Sequence, residues 1–158
     1  MINSTLCYIT RGSDVLMLHR VKKENDINKD KWIGIGGKFE DEESPDECLL
    51  REAKEETGLT LTNWRCRGVV TFLCEGIEGE YMYLFTADGF EGNLKECDEG
   101  DLEWISREKL DSLPRWEGDK LFLDLLWRDA PFFLMTLEYR KDKLIRAVLN
   151  GSTILTRE

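Results

Sequence analysis

Residues 37–59 read GKFEDEESPDECLLREAKEETGL, and this stretch decides how the rest of the chain is understood. It contains a complete set of helix signals. Ser44 is a suitable N-cap, Pro45 fits the first helical position, Glu47 completes a capping box, and Gly58 supplies the stop. The spacing predicts a helix over 45–57 with Leu49, Leu50 and Ala53 turned to the core. Glu52, Glu55 and Glu56 then fall within one turn, inside an arc of roughly 100°. Like charges so close raise each other's carboxyl pKa, so the cluster makes chemical sense with a dication between them. All-oxygen ligation indicates magnesium, with manganese as the alternative. Magnesium keeps several waters and leaves positions for phosphate oxygens. The competing reading is a solvated helix face on which Arg51 pairs with Glu47 or Glu55.

Upstream of the helix, Leu6 to Thr10 and Val15 to His19 read as a hairpin about the turn Arg11-Gly12-Ser13-Asp14. Residues 20–31 form a polar loop, which enters the glycine-rich run Trp32-Ile33-Gly34-Ile35-Gly36-Gly37. Downstream, Trp64 to Leu73 and Glu80 to Ala87 read as strands with a turn between Gly76 and Gly79. Leu102 to Ile105 is a short strand, Arg107 to Leu113 a helical turn, and Asp119 to Trp127 a helix ended before Pro131. Phe132 to Tyr139 and Leu144 to Leu149 close the chain as a hairpin, with a loose end expected after Gly151. No repeat, low-complexity tract or linker interrupts 1–158, so one domain is expected.

Composition limits the partners. A hydrophobic fraction of 41% supports a sizeable core, and seven Phe and five Trp argue against disorder despite 34% charged residues. The formal net charge of -10 disfavours duplex or long single-stranded nucleic acid, whereas a small polyphosphate bridged by cations remains compatible. Cys7, Cys48, Cys66, Cys74 and Cys97 contain no C-x-x-C pair, so neither a disulfide framework nor a zinc site is indicated and a reducing, cytoplasmic setting fits. No signal segment or membrane span is expected. Oligomeric state is not readable, and a monomer is the default.

From Gly37 the pattern is G-x5-E-x7-R-E-A-K-E-E-T-G-L, with Glu43, Arg51, Glu52, Glu55, Glu56, Gly58 and Leu59 at set offsets. It resembles the Nudix box in every defined position, with Ala53 smaller than the usual apolar residue. The likeness extends along nearly the whole chain and is nearest the MutT branch, especially the animal-type hydrolases of oxidised purine nucleoside triphosphates. It implies an α+β fold, an α/β/α sandwich around a mixed sheet. It also implies magnesium-dependent hydrolysis of a nucleoside triphosphate to a monophosphate and pyrophosphate. In such enzymes the box glutamates hold the metal; Gly36 and Gly37 are expected to permit an unusual backbone path whose carbonyl can approach it, and Arg51 to orient the glutamates. A further acid beyond the box completes the site; Glu99 matches it best, with Asp98 as the substitute. Glu52 and Glu56 bind metal or activate water, and Glu52 is the favoured base, with Glu99 its rival.

The same resemblance places Phe72, Trp116 and Asp119 in a purine pocket. For the two aromatics plain core packing competes, and for Asp119 a helix N-cap does. Arg20 and Lys38 are candidate phosphate contacts, against ordinary surface charge. Ile33 stands where the nearest relatives place a base-reading asparagine, and Gly118 replaces the first of two neighbouring aspartates. The single histidine, His19, sits at a strand end and reads as structural. Between Leu59 and Tyr81 there is neither proline nor tyrosine, which tells against the ADP-ribose and diadenosine polyphosphate branches. A non-catalytic nucleotide sensor on the same fold is the rival class, and a calcium-binding protein lacks its EF-hand loop.

Overall fold

The computed structural model describes residues 1–158. Its strands and helices are β1 (Ile2–Arg11), β2 (Asp14–His19), β3 (Trp32–Ile33), α1 (Pro45–Thr57), β4 (Thr60–Cys74), β5 (Ile77–Glu91), β6 (Asp101–Ser106), α2 (Asp119–Trp127), β7 (Phe133–Arg140), β8 (Lys143–Leu149) and β9 (Ser152–Thr156). A 3-10 turn at Arg107–Ser112 precedes α2. No helix is long and apolar enough to cross a membrane.

Six strands form a mixed sheet in the order β1-β5-β4-β7-β8-β9, in which β1 runs parallel to β5 and β4 parallel to β7. β2 pairs along its length with β6 and at one end with β3. The β1–β2 hairpin is joined only at Thr10/Val15 and Arg11/Asp14, after which the strands part. The glycine-rich segment fills that gap. Cys7 N–H donates to Ile35 O at 2.6 Å, Ile35 N–H to Cys7 O at 2.8 Å, and Thr5 N–H to Gly37 O at 2.9 Å. This insertion satisfies the backbone groups that β1 would otherwise leave bare.

Strand alternation divides the core into two layers. Cys7, Ile9, Phe85 and Ala87 pack with Leu49 and Ala53 of α1. Tyr8 and Leu84, one residue out of step, pack with Phe122, Leu123 and Leu126 of α2 on the opposite face. The chain is therefore an α+β sandwich with one helix on each side of a mixed sheet. α1 is tied at both ends: Glu47 N–H donates to Ser44 Oγ at 3.1 Å, Ser44 N–H donates to Glu47 Oε1 at 3.0 Å, and Gly58 turns left-handed at φ 83°. Each cap contributes about 1 kcal/mol.

Two expectations change. β1, β4 and β5 are longer than their hydrophobic runs, because pairing with neighbours carries the strands past the apolar residues. The end after Gly151 is not loose. Asn150 (φ 49°) and Gly151 (φ 85°) make a two-residue turn, and β9 pairs with β8. Two successive positive φ values are what a tight hairpin turn needs, and Asn-Gly supplies them at low cost.

Candidate active site

A cleft of about 910 Å³ is lined by Gly36, Gly37, Glu52, Glu55 and Glu99, and also by Phe72, Trp116 and Asp119. The acidic group and the aromatic group, which are far apart in sequence, thus share one space. Arg20, Ile33, Lys38 and Arg51 line it as well. Glu56 is set behind the lining, 7% exposed.

Arg51 organises the acids around α1. Its Nε and NH2 donate to the two Glu43 oxygens at 2.7 and 2.8 Å, a fork that matches a carboxylate. Its NH1 donates to Glu52 Oε1 at 2.7 Å and Glu55 Oε2 at 3.2 Å, and NH2 reaches Lys38 O at 3.0 Å. The guanidinium holds the Glu43 carboxyl down at about 2. Glu47 is occupied by its capping role and does not pair with Arg51.

Glu56 is the unusual member. Gly36 N–H donates to its Oε1 at 3.2 Å, while Oε2 is enclosed and has no partner. Burial, reinforced by the charges of Glu99 and Glu52, pushes its carboxyl up to about 9. Glu99 accepts from Arg20 NH1 at 2.9 Å and from Lys23 Nζ at 3.1 Å. Arg20 is thereby committed, since its Nε also donates to Asp26 at 2.7 Å. In this arrangement Arg20 braces Glu99 and the 20–31 loop, and Lys38 is left as the exposed cation on the cleft wall.

The glycines act differently from their sequence reading. Neither Gly36 nor Gly37 adopts a positive φ, so an unusual backbone path is not their reason. A Cβ on Gly36 would stand 1.9 Å from Thr5 O, and one on Gly37 would stand 2.5 Å from Glu52 Cδ. Backbone close approach demands glycine at 36, whereas at 37 a Cβ would push aside the end of the Glu52 side chain. Gly37 O is taken by Thr5 N–H, which leaves the Gly36 carbonyl without a hydrogen bond from the protein. Gly36→Ala is expected to lower stability by about 1–3 kcal/mol in urea unfolding; an unchanged midpoint would show that the β1 contact yields freely.

Glu52 and Glu99 lie near enough to act on Glu56, whereas Glu55 is 58% exposed and turned to Arg51. The acids do not close into a finished cage of three or more side-chain ligands. What they offer is an enclosed oxygen lacking a donor, flanking carboxylates and a free carbonyl. That all-oxygen set suits a hard divalent cation that retains waters and takes few protein ligands.

In the aromatic part, Phe72, Trp116 and Tyr139 meet at centroid distances of 5.1, 4.9 and 5.3 Å. Trp116 Nε1 donates to Asn28 Oδ1 at 2.6 Å, and Lys31 Nζ stands 4.5 Å over the indole. Asp119 is the first residue of α2 and makes no capping bond. It is 8% exposed and receives no hydrogen bond; burial pushes its carboxyl up to about 7 against the pull of Arg115 and Lys31. Gly118 N–H donates to the Tyr139 hydroxyl at 2.7 Å, and a Cβ at 118 would lie 2.7 Å from that oxygen. Tyr139 therefore occupies the room an aspartate at 118 would need. His19 stacks on Trp32 at 4.4 Å between centroids. The sequence did not single out Tyr8 or Tyr139; only the period-two alternation of β1 and β7 hinted at their direction.

A family model described as NUDIX domain matches residues 2–126. The uncharacterized Nudix hydrolase YvcI of Bacillus subtilis (strain 168) is 31% identical over 140 residues, covering 85% of each chain. The oxidized purine nucleoside triphosphate hydrolase of Danio rerio is 32% identical over 112 residues, 70% of this chain and 71% of its own. The crystal structure of a MutT protein from Bacillus halodurans superposes with a TM-score of 0.84 at 28% identity, over 95% of this chain and 98% of that one. The helix that carries the acids, the glycine segment threaded beside β1 and these similarities agree: the chain belongs to the NUDIX family.

Proposed function

We propose that residues 1–158 act as one magnesium-dependent pyrophosphohydrolase, which converts a nucleoside triphosphate to a monophosphate and pyrophosphate, with an 8-oxo-purine triphosphate as the preferred substrate. The observation that carries this reading is the single cleft, which sets a braced group of carboxylates and an aromatic pocket with a buried acid in one space. Similarity to oxidized purine nucleoside triphosphate hydrolases supports the base. Magnesium, when bound, supplies charge neutralisation for the phosphate chain and acidifies water. Glu52, Glu56, Glu99 and the Gly36 carbonyl are the groups that would hold it.

The protein's own part is positioning and proton handling. Glu52 accepts a proton from the attacking water as the new P–O bond forms and the bond to the departing pyrophosphate breaks. Arg51 keeps that carboxylate in place, Arg20 and Lys23 do the same for Glu99, and Lys38 offsets phosphate charge. A small nucleotide, rather than polymeric nucleic acid, suits a chain of net charge -10. A cytoplasmic monomer is the working form in this reading.

The test is product release, pyrophosphate from 8-oxo-dGTP, dGTP and other dNTPs and mononucleotides from the competing substrates ADP-ribose and diadenosine polyphosphates, each with magnesium, with manganese and with chelator. Metal-dependent release, highest in kcat/KM for 8-oxo-dGTP, is expected. Equal efficiency on 8-oxo-dGTP and dGTP removes the oxidised-base assignment. No metal-dependent release from any compound replaces the enzyme with a nucleotide sensor.

A further inference from the structure

β1 sends Cys7 and Ile9 beneath α1 and Tyr8 to the other layer. Tyr8 is 1% exposed, yet nothing in the protein hydrogen-bonds its hydroxyl. Leaving a buried polar group unpaired costs about 1–3 kcal/mol, and a buried tyrosine usually finds a partner for its O–H. Nor is the hydroxyl enclosed, because Glu56 Oε2 is the one partnerless side-chain atom fully shut off by protein. Tyr8 lines the cleft, so that is where its hydroxyl finds space.

Asp119 shows the same pattern: deeply buried, without a hydrogen bond, and lining the same cleft. Both side chains open on the same cleft, and the Tyr8 ring packs at 6.1 Å between centroids on Phe122 of α2, the helix that Asp119 begins; the two do not bond each other. Two nearby positions offer them no partner. Ile33 brings no polar side-chain atom, and the Gly118 N–H is given to Tyr139. An O–H donor beside a carboxylate acceptor, both unpartnered and open to one space, is a network that a ligand completes.

We propose that the Tyr8 hydroxyl determines base specificity: it donates to a ring carbonyl while Asp119 accepts from the adjacent ring N–H, which selects bases with an N–H beside C=O. Guanine-type and hypoxanthine rings present that edge. Above pH 7, where the Asp119 carboxyl has given up its proton, an adenine-type ring instead turns a bare ring nitrogen to the carboxylate, and two acceptors then face each other. The proposal rests on the nucleotide reading of the cleft but not on turnover, so the two can fail separately.

Calorimetric binding of nucleoside monophosphates at about pH 8.5, where Asp119 is ionised, tests it. The wild-type protein should bind guanosine monophosphate about tenfold or more tightly than adenosine monophosphate, and Tyr8→Phe should remove that preference by weakening the guanosine compound alone. On the ligand side, inosine monophosphate should exceed the purine riboside monophosphate, which lacks the carbonyl and the N–H, and this comparison needs no variant. Wild-type protein without the preference, Tyr8→Phe that keeps it or weakens both ligands equally, or no binding of either nucleotide overturns the role of Tyr8. Pyrophosphate release from triphosphates is read in parallel: carbonyl preference without release removes only the hydrolase reading, and release without the preference removes only the role of Tyr8.

Discussion

Glu52→Gln is expected to lower kcat for metal-dependent pyrophosphate release by about a thousandfold, with a much smaller change in KM. The substitution keeps the shape of the side chain. An amide oxygen still accepts from Arg51 NH1, which now reaches Glu52 at 2.7 Å, so the local geometry has no reason to collapse. What disappears is a proton acceptor and one negative charge beside the cation site, both of which matter most as the water is deprotonated. Glu55→Gln serves as the comparison. Its side chain is 58% exposed and faces Arg51, and its loss should cost far less activity. Steady-state rates at saturating magnesium, beside melting curves for the three proteins, decide the matter. A Glu52→Gln enzyme that retains a tenth of its turnover ends the assignment and passes the proton to Glu99.

The helix that carries Glu52 was legible because its determinants are local. Ser44, Pro45, Glu47 and Gly58 set its ends through contacts within four residues, and the structure places the ends where those residues say. The determinant of the last hairpin is equally local, yet the apolar pattern points to a loose end. Asn150-Gly151 is a strong hairpin signal, but β9 is an edge strand whose residues are mostly exposed, so it carries no apolar run to announce it. Composition hid what the turn residues declared.

The site was legible as a set of acids and not as an arrangement. Nothing in the spacing shows that Glu43 takes the fork of Arg51, since Glu43 lies ahead of the helix and is brought back by the turn into Ser44. Arg20 reads as a free cation in sequence, and only the fold of the 20–31 loop joins it to Asp26 and Glu99. Tyr8 is harder still: alternation along β1 gives its direction, but the unmet hydroxyl exists only once strand, helix and cleft are assembled. Long-range contacts of this kind have no one-dimensional trace.

Glu56 connects the chemistry of the site to the stability of the whole protein. Its carboxyl sits near 9 in the fold and at an ordinary carboxylate value, about 4.3, in the unfolded chain. The raised folded value means that the native state holds the proton more tightly. The stabilisation is thus fully present below about pH 4.3 and is lost as pH rises through the folded value. In chelator, the protein should therefore lose up to about 1.4 kcal/mol of stability per pH unit within that window. Asp119 contributes with the same sign up to about 7, and the five thiols, all raised by burial, contribute with the same sign as pH passes the unfolded thiol value of about 8.5, so the difference between wild type and a Glu56 variant isolates Glu56. A divalent cation replaces the proton, and at a hundred times its dissociation constant it restores about 2.7 kcal/mol, so magnesium should protect most at high pH. Glu56→Gln has no proton to lose and can donate from its amide; its urea midpoint in chelator should fall distinctly less than that of the wild type from about pH 7 to 9, keeping only the slope of the buried thiols, while its activity is abolished. Parallel pH profiles for the wild-type and Gln proteins would mean that the enclosed oxygen keeps its charge in the fold, and the case for a cation at that oxygen would go with it.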